Sequence, residues 1–171
     1  MAEPLKNLYN EEFVDSFSKV CKSHIATFDQ KRFENSVFDK NWKNLELKER
    51  IRHLSICLHQ ELGNHIETNL QNLVLISEDI RINQNKQDTF EYIILGDYIE
   101  MYGLNCAKAS LDAMEKITIL ASCEFAIRPF IVKYEDLVFK QLMNWTKHKH
   151  ASVRRLASEG SRTRLPWGIG F

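Results

Sequence analysis

Apolar residues recur at intervals of three and four along most of this chain, and that spacing leaves room for little but helix. Leu47, Ile51, Leu54, Leu58 and Leu62 form one stripe over about 44–62, the period of an amphipathic helix that buries one face. Gly63 follows as a helix-ending residue. Ile66, Leu70, Leu73 and Val74 open a second stripe that continues through Leu75 and Ile76, and Asn83-Gln-Asn-Lys-Gln-Asp88 is a polar loop. Further helices are predicted from about Phe90 to Met101, ending at Gly103, and from about Ala107 to Leu120, with Leu111, Met114, Ile117 and Thr118 on one face. Pro129 interrupts an apolar segment and should kink or restart the helix there. Tyr134–Lys147 places Leu137, Val138, Leu142 and Trp145 at helical spacing, and Ser152–Arg162 makes the last helix, closed by Leu165-Pro166. No run alternates long enough for a strand, and only six glycines and three prolines punctuate 171 residues. The fold class is therefore all-α: stacked helical hairpins in the manner of a right-handed, HEAT-like α-solenoid, with a helical bundle as the alternative. A single helical domain over 1–171 is expected, with 1–40 its least defined part. Phe13, Phe17, Phe28, Phe33, Phe38 and Trp42 are read as core or packing residues.

The formal charge of zero hides an asymmetry. From Lys140 onward there are seven basic residues and one acid, Glu159, whereas residues 1–139 carry sixteen basic residues against twenty-two acids. A basic end on an acidic body suggests a polyanion as partner. No apolar run approaches the roughly 20 residues of a membrane span, and the N-terminus, MAEPLKNLYNEEF, is not a secretory signal. Cys21, Cys57, Cys106 and Cys123 are widely spaced with no CxxC, which favours buried thiols in a reduced, cytoplasmic protein over a disulfide framework.

The basic end concentrates in Val153–Trp167, VRRLASEGSRTRLPW. On a wheel of 100° per residue, Val153, Leu156, Ala157 and Gly160 fall on one side and suit a core, while Ala151, Arg155, Ser158, Glu159 and Arg162 fall on the other. Arg155 and Glu159 are four apart and can pair; Arg154 lies to one side, open to a phosphate. A solvated helix with one surface ion pair is the plain reading. Against it, Lys140, Lys147, Lys149, Arg162 and Arg164 surround the helix, and the turn at Pro166 delivers Trp167 beside them. Cations with an aromatic ring are what nucleic-acid binding needs. Upstream, Ala121–Ile131 reads ASCEFAIRPFI, with Glu124 beside an apolar segment and Arg128 one turn on. The two form either an Arg–Glu pair closing a helix end or, if packing brings Glu124 near Glu159, a pair of carboxylates in a basic setting. Such a pair suits activation of water or stabilisation of a cationic transition state.

EFAIRPFI (124–131) and VRRLASEGSRTRLPW (153–167), with LGDYIEMYGL (95–104) and SLDAMEKIT (110–118), closely resemble the AlkC branch of the alkylpurine DNA glycosylases, over most of the chain from about residue 40. The resemblance implies HEAT-like repeats that cradle duplex DNA and hydrolysis of the N-glycosidic bond of N3-methylated purines, mainly 3-methyladenine. It implies Glu124 and Glu159 as the acidic site residues and Trp167 as the aromatic contact to the lesion's sugar. Lys147, Lys149, Arg154, Arg155, Arg162 and Arg164 would hold the DNA backbone; His148 and His150, from their place flanking the basic region, are read as assisting phosphate contact and not catalysis. It implies no metal or organic cofactor, a monomer, and duplex DNA containing alkylated purines as the partner, with no membrane association. The alternatives are a non-catalytic HEAT-like nucleic-acid-binding module and, against the grain of the basic end, a helical protein-interaction scaffold.

Two departures qualify the resemblance. Thr163 stands where the family pattern has proline, a change expected to loosen the turn. The sequence stops at Phe171, whereas family members continue through further repeats that supply another acidic site residue, so a C-terminally truncated member is expected. Elsewhere, His53 and Cys57 share a helix face while His59 points away, which reads as core packing and not as a zinc site. No glycine-rich phosphate loop is present.

Overall fold

The computed structural model describes residues 3–164, and among these every regular element is a helix. The chain forms two compact units, 1–65 and 66–171.

The first unit holds α1 (Glu11–His24), α2 (Gln30–Val37) and α3 (Leu47–Leu62), with short 3-10 turns at Leu5–Leu8 and Trp42–Asn44. Each start is capped. The Asn10 side chain accepts from the Phe13 N–H at 2.9 Å and Asp29 accepts from the Arg32 N–H at 3.0 Å. Glu46 and Glu49 form a reciprocal capping box on α3, satisfying donors that a helix start leaves open. Gly63 ends α3 with φ 71°, a left-handed value that glycine adopts without strain. Phe17, Phe28 and Phe33 pack together in the core, with ring centroids 5.3–6.2 Å apart. Trp42 is buried, while Phe13 and Phe38 are half-buried at its edge. His53 belongs to this packing: its Nε2 lies 3.0 and 3.1 Å from the carbonyls at the end of α2, Ser36 and Val37.

The second unit holds α4 (Ile66–Asn83), α5 (Ile93–Tyr102), α6 (Ala107–Ile117), α7 (Ile127–Lys133), α8 (Glu135–Trp145) and α9 (Ala151–Gly160). Packing runs mainly between neighbours along the chain, with α4 also lying against α6. That is the economy of a helical-repeat fold, in which each element buries its apolar face on the next. Leu73, Ile76, Leu95, Ile99, Met114, Phe130, Val138 and Leu156 fill the core. Pro129 stands in the first turn of α7, where its missing N–H is no loss, so the helix restarts there as its sequence predicts. The helix predicted from Phe90 begins only at Ile93, after Tyr92, and the one predicted to Leu120 ends at Ile117 and leaves through a turn. No described helix is long and apolar enough to cross a membrane.

Candidate functional site

Glu124 and Glu159 come together, and two local constructions bring them there. Glu124 lies on the turn between α6 and α7, where its N–H donates to Ser122 Oγ at 3.3 Å. Glu159 sits near the end of α9. The face predicted to pack, Val153, Leu156, Ala157 and Gly160, is buried throughout. At Gly160 the approach to α7 is so close that a Cβ would stand 2.7 Å from Ile127 Cγ2. The glycine therefore lets the end of α9 settle onto the start of α7, three residues beyond Glu124.

Arg128 completes the junction. Its side chain is fully buried, and it donates from NH1 to the carbonyls of Gly160 at 3.1 Å and Arg162 at 2.8 Å, and from NH2 to that of Thr163 at 3.4 Å. The first bond occupies a carbonyl that the end of α9 leaves without an internal partner, and the other two hold the turn that follows it. The Arg–Glu pair offered as one reading of Arg128 is not what these bonds make: they go to main-chain oxygens at and beyond the end of α9. The other end of α9 is held by histidines. His148 Nδ1 accepts from the His150 N–H at 3.0 Å and His150 Nδ1 accepts from the Ser152 N–H at 3.2 Å. His148 also lies 3.8 Å from Glu115, which accepts from the Trp145 indole at 2.5 Å. The two imidazoles thus organise a helix start, a role the sequence reading did not give them.

The carboxyl groups of Glu124 and Glu159 are neighbours that perturb each other and titrate apart. Burial, then the hydrogen bond and charge of Glu159, push the Glu124 carboxyl above its ordinary value. Burial pushes Glu159 the same way. It is outweighed by the hydrogen bond from Glu124, the hydrogen bond and charge of Arg155 and the charge of Arg162, which hold Glu159 below the ordinary value. The Arg155 Nε donates to Glu159 Oε2 at 2.8 Å, and the Glu159 side chain is 21% exposed against 51% for Arg155. Of two neighbouring carboxyls, Glu124 thus holds its proton more tightly and Glu159 ionises more readily. The arrangement offers a readily ionised oxygen that can face a cation, beside a second carboxyl that takes up a proton more readily.

The remaining predicted residues are placed as follows. Lys147, Lys149, Arg154, Arg155, Arg162 and Arg164 are all exposed. Arg154 NH1 is engaged by the loop before α9, donating to His148 O at 2.7 Å and Lys149 O at 2.9 Å, so it braces that loop as well as facing solvent. Trp167, with the Leu165-Pro166 turn, lies outside the described residues. One acid was missed: both Oδ atoms of Asp88 lie 3.5 Å from Arg155 NH1. Its only sequence signal is membership of a polar loop, and nothing there points 67 positions downstream. Among the described residues no cluster of three His, Cys, Asp or Glu side chains could hold a metal.

No family model matches the chain. It is 36% identical over 167 residues to YhaZ of Bacillus subtilis (strain 168), an uncharacterized protein, a match covering 96% of this chain and 44% of that one. Its fold superposes on the alkylpurine DNA glycosylase AlkC of Pseudomonas fluorescens, solved bound to DNA containing an abasic site analog. The TM-score is 0.86 at 28% identity, over 100% of this chain and 46% of that one. The chain thus spans less than half the length of both relatives.

Proposed function

Because the chain is AlkC-like in fold and in sequence, we propose that it carries the carboxylate site of a DNA glycosylase that hydrolyses the N-glycosidic bond of N3-methylated purines, chiefly 3-methyladenine, in alkylated duplex DNA. The observation that carries this reading is the neighbouring pair of Glu124 and Glu159, shifted in opposite directions, with Arg155 bonded to Glu159. N3-methylation leaves the base cationic. As the bond from C1′ to the base breaks, its electron pair departs with the base and cancels that charge. The sugar then carries oxocarbenium character, which the Glu159 carboxylate stabilises at short range. Water adds at C1′ and gives up its proton to the carboxylate. Glu124, which holds its proton more tightly, neighbours Glu159 and is the natural donor to it.

The exposed cations Lys147, Lys149, Arg162 and Arg164 serve the DNA backbone in this proposal, and the role of Trp167 at the lesion's sugar rests on its motif alone. The AlkC structure bound to abasic DNA supports duplex DNA as the partner.

Release of methylated base from alkylated duplex DNA tests the reading. Glu159→Gln is expected to slow excision by about 10²–10³-fold while leaving DNA affinity little changed. An equal drop in both would make Glu159 a structural residue. Tight binding of the duplex by the wild-type chain with no base released would favour the alternative, a non-catalytic nucleic-acid-binding module.

A further inference from the structure

Asp88 has a backbone φ of 53°, a left-handed conformation that aspartate adopts more readily than most residues with a side chain. Hydrogen bonds fix the loop here. The Asp88 N–H donates to Ile119 O at 3.3 Å and the Thr89 N–H to Leu120 O at 2.8 Å, with Thr89 Oγ1 on the same Leu120 carbonyl at 3.3 Å. These bonds bolt the loop after α4 to the turn after α6, the same run of chain that continues to Ser122 and Glu124. The consequence is that Asp88 faces Arg155, with side chains 60% and 51% exposed.

An ion pair so exposed adds little to stability, and a negative charge beside a DNA-facing surface works against phosphate binding. What the contact can supply is orientation. Arg155 gives Nε to Glu159 and NH1 to Asp88, so its planar guanidinium is fixed at two edges instead of swinging about one bond.

We propose that Asp88 is a positioning residue, holding the Arg155 guanidinium in the plane that serves the Glu159 carboxylate. The proposal deepens the glycosylase reading and rests on it for its catalytic consequence.

Asp88→Asn in the full chain tests it, since asparagine tolerates the left-handed backbone as aspartate does. Solvent exchange of the Arg155 Nε–H, followed by NMR, is expected to be several-fold faster in the variant; unchanged exchange overturns the proposal. This arm needs no turnover, so faster exchange in a chain that releases no base upholds the positioning role while the glycosylase reading alone fails. In an active chain, single-turnover excision is expected to fall about fivefold with affinity for the same duplex unchanged or tighter, and Asp88→Asn to add nothing further in an Arg155→Lys background. A wild-type excision rate in Asp88→Asn, or the same loss in both backgrounds, overturns it.

Discussion

Glu124 and Glu159 are the same side chain shifted in opposite directions, and the difference is one of neighbours. Burial acts on both; only Glu159 has Arg155 at 2.8 Å. The folded value of Glu124 is raised, so its contribution to stability is complete below the unfolded value and is lost as pH rises through the raised one. The value of Glu159 is depressed, so its contribution is present above the unfolded value and is lost as pH falls through the depressed one. The pair is most stabilising in the interval between. Glu124→Gln supplies a donor that cannot ionise. Its melting temperature is expected to exceed that of the wild type by a margin that grows as pH rises through the raised Glu124 value. A margin that stays constant with pH would mean that Glu124 is not raised by its neighbour. Much of this was legible in the sequence, because a spacing of four puts Arg155 against Glu159 on any helix. That Glu124 meets Glu159 was legible only as a condition, since it depends on how two helices pack. Asp88 was not legible, because a loop residue's destination is set by main-chain bonds to Ile119 and Leu120 that no pattern encodes.

At the scale of elements, the approach of α9 to α7 decides whether the carboxylates meet at all. Gly160 in the last turn of a helix is unfavourable by propensity, and the geometry supplies the reason: there is no space for a Cβ beside Ile127. Gly160→Ala is expected to destabilise the protein by about 1–3 kcal/mol through overpacking, read as a lower denaturant midpoint at unchanged slope, and to weaken the Glu124–Glu159 contact at the same time. An alanine variant as stable as the wild type would mean that the helices slide apart without cost. The helices from Leu47 onward announce themselves through leucine and isoleucine stripes. α1 and α2 do not. In α1 the buried positions are the mixed set Val14, Phe17, Ser18 and Cys21, which read as packing groups before they read as a helix face. Boundaries shifted where turns intervene: Tyr92 holds the chain out of helix until Ile93, and the Ile117–Ala121 turn departs early to carry the strap that meets the Asp88 loop.

For the whole molecule, charge is sorted along the chain, with the net positive end from Lys140 onward carrying one acid among seven bases. The structure gives that acid a partner and leaves the flanking cations exposed. If those cations meet phosphates, DNA affinity falls steeply with salt. Arg162→Ala is then expected to weaken binding across sequences and to reduce the slope of log K against log salt by about one; a slope that does not change removes Arg162 from the DNA surface. Arg128 carries a different consequence. Its grip on the end of α9 is taken on main-chain oxygens, at Gly160, Arg162 and Thr163. Every amino acid brings that oxygen, proline included. The anchor therefore takes hold of position 163 through an oxygen that any residue there would present. Whatever Thr163 does to the turn, it does through its own backbone and side chain, because this grip never reads the residue's identity.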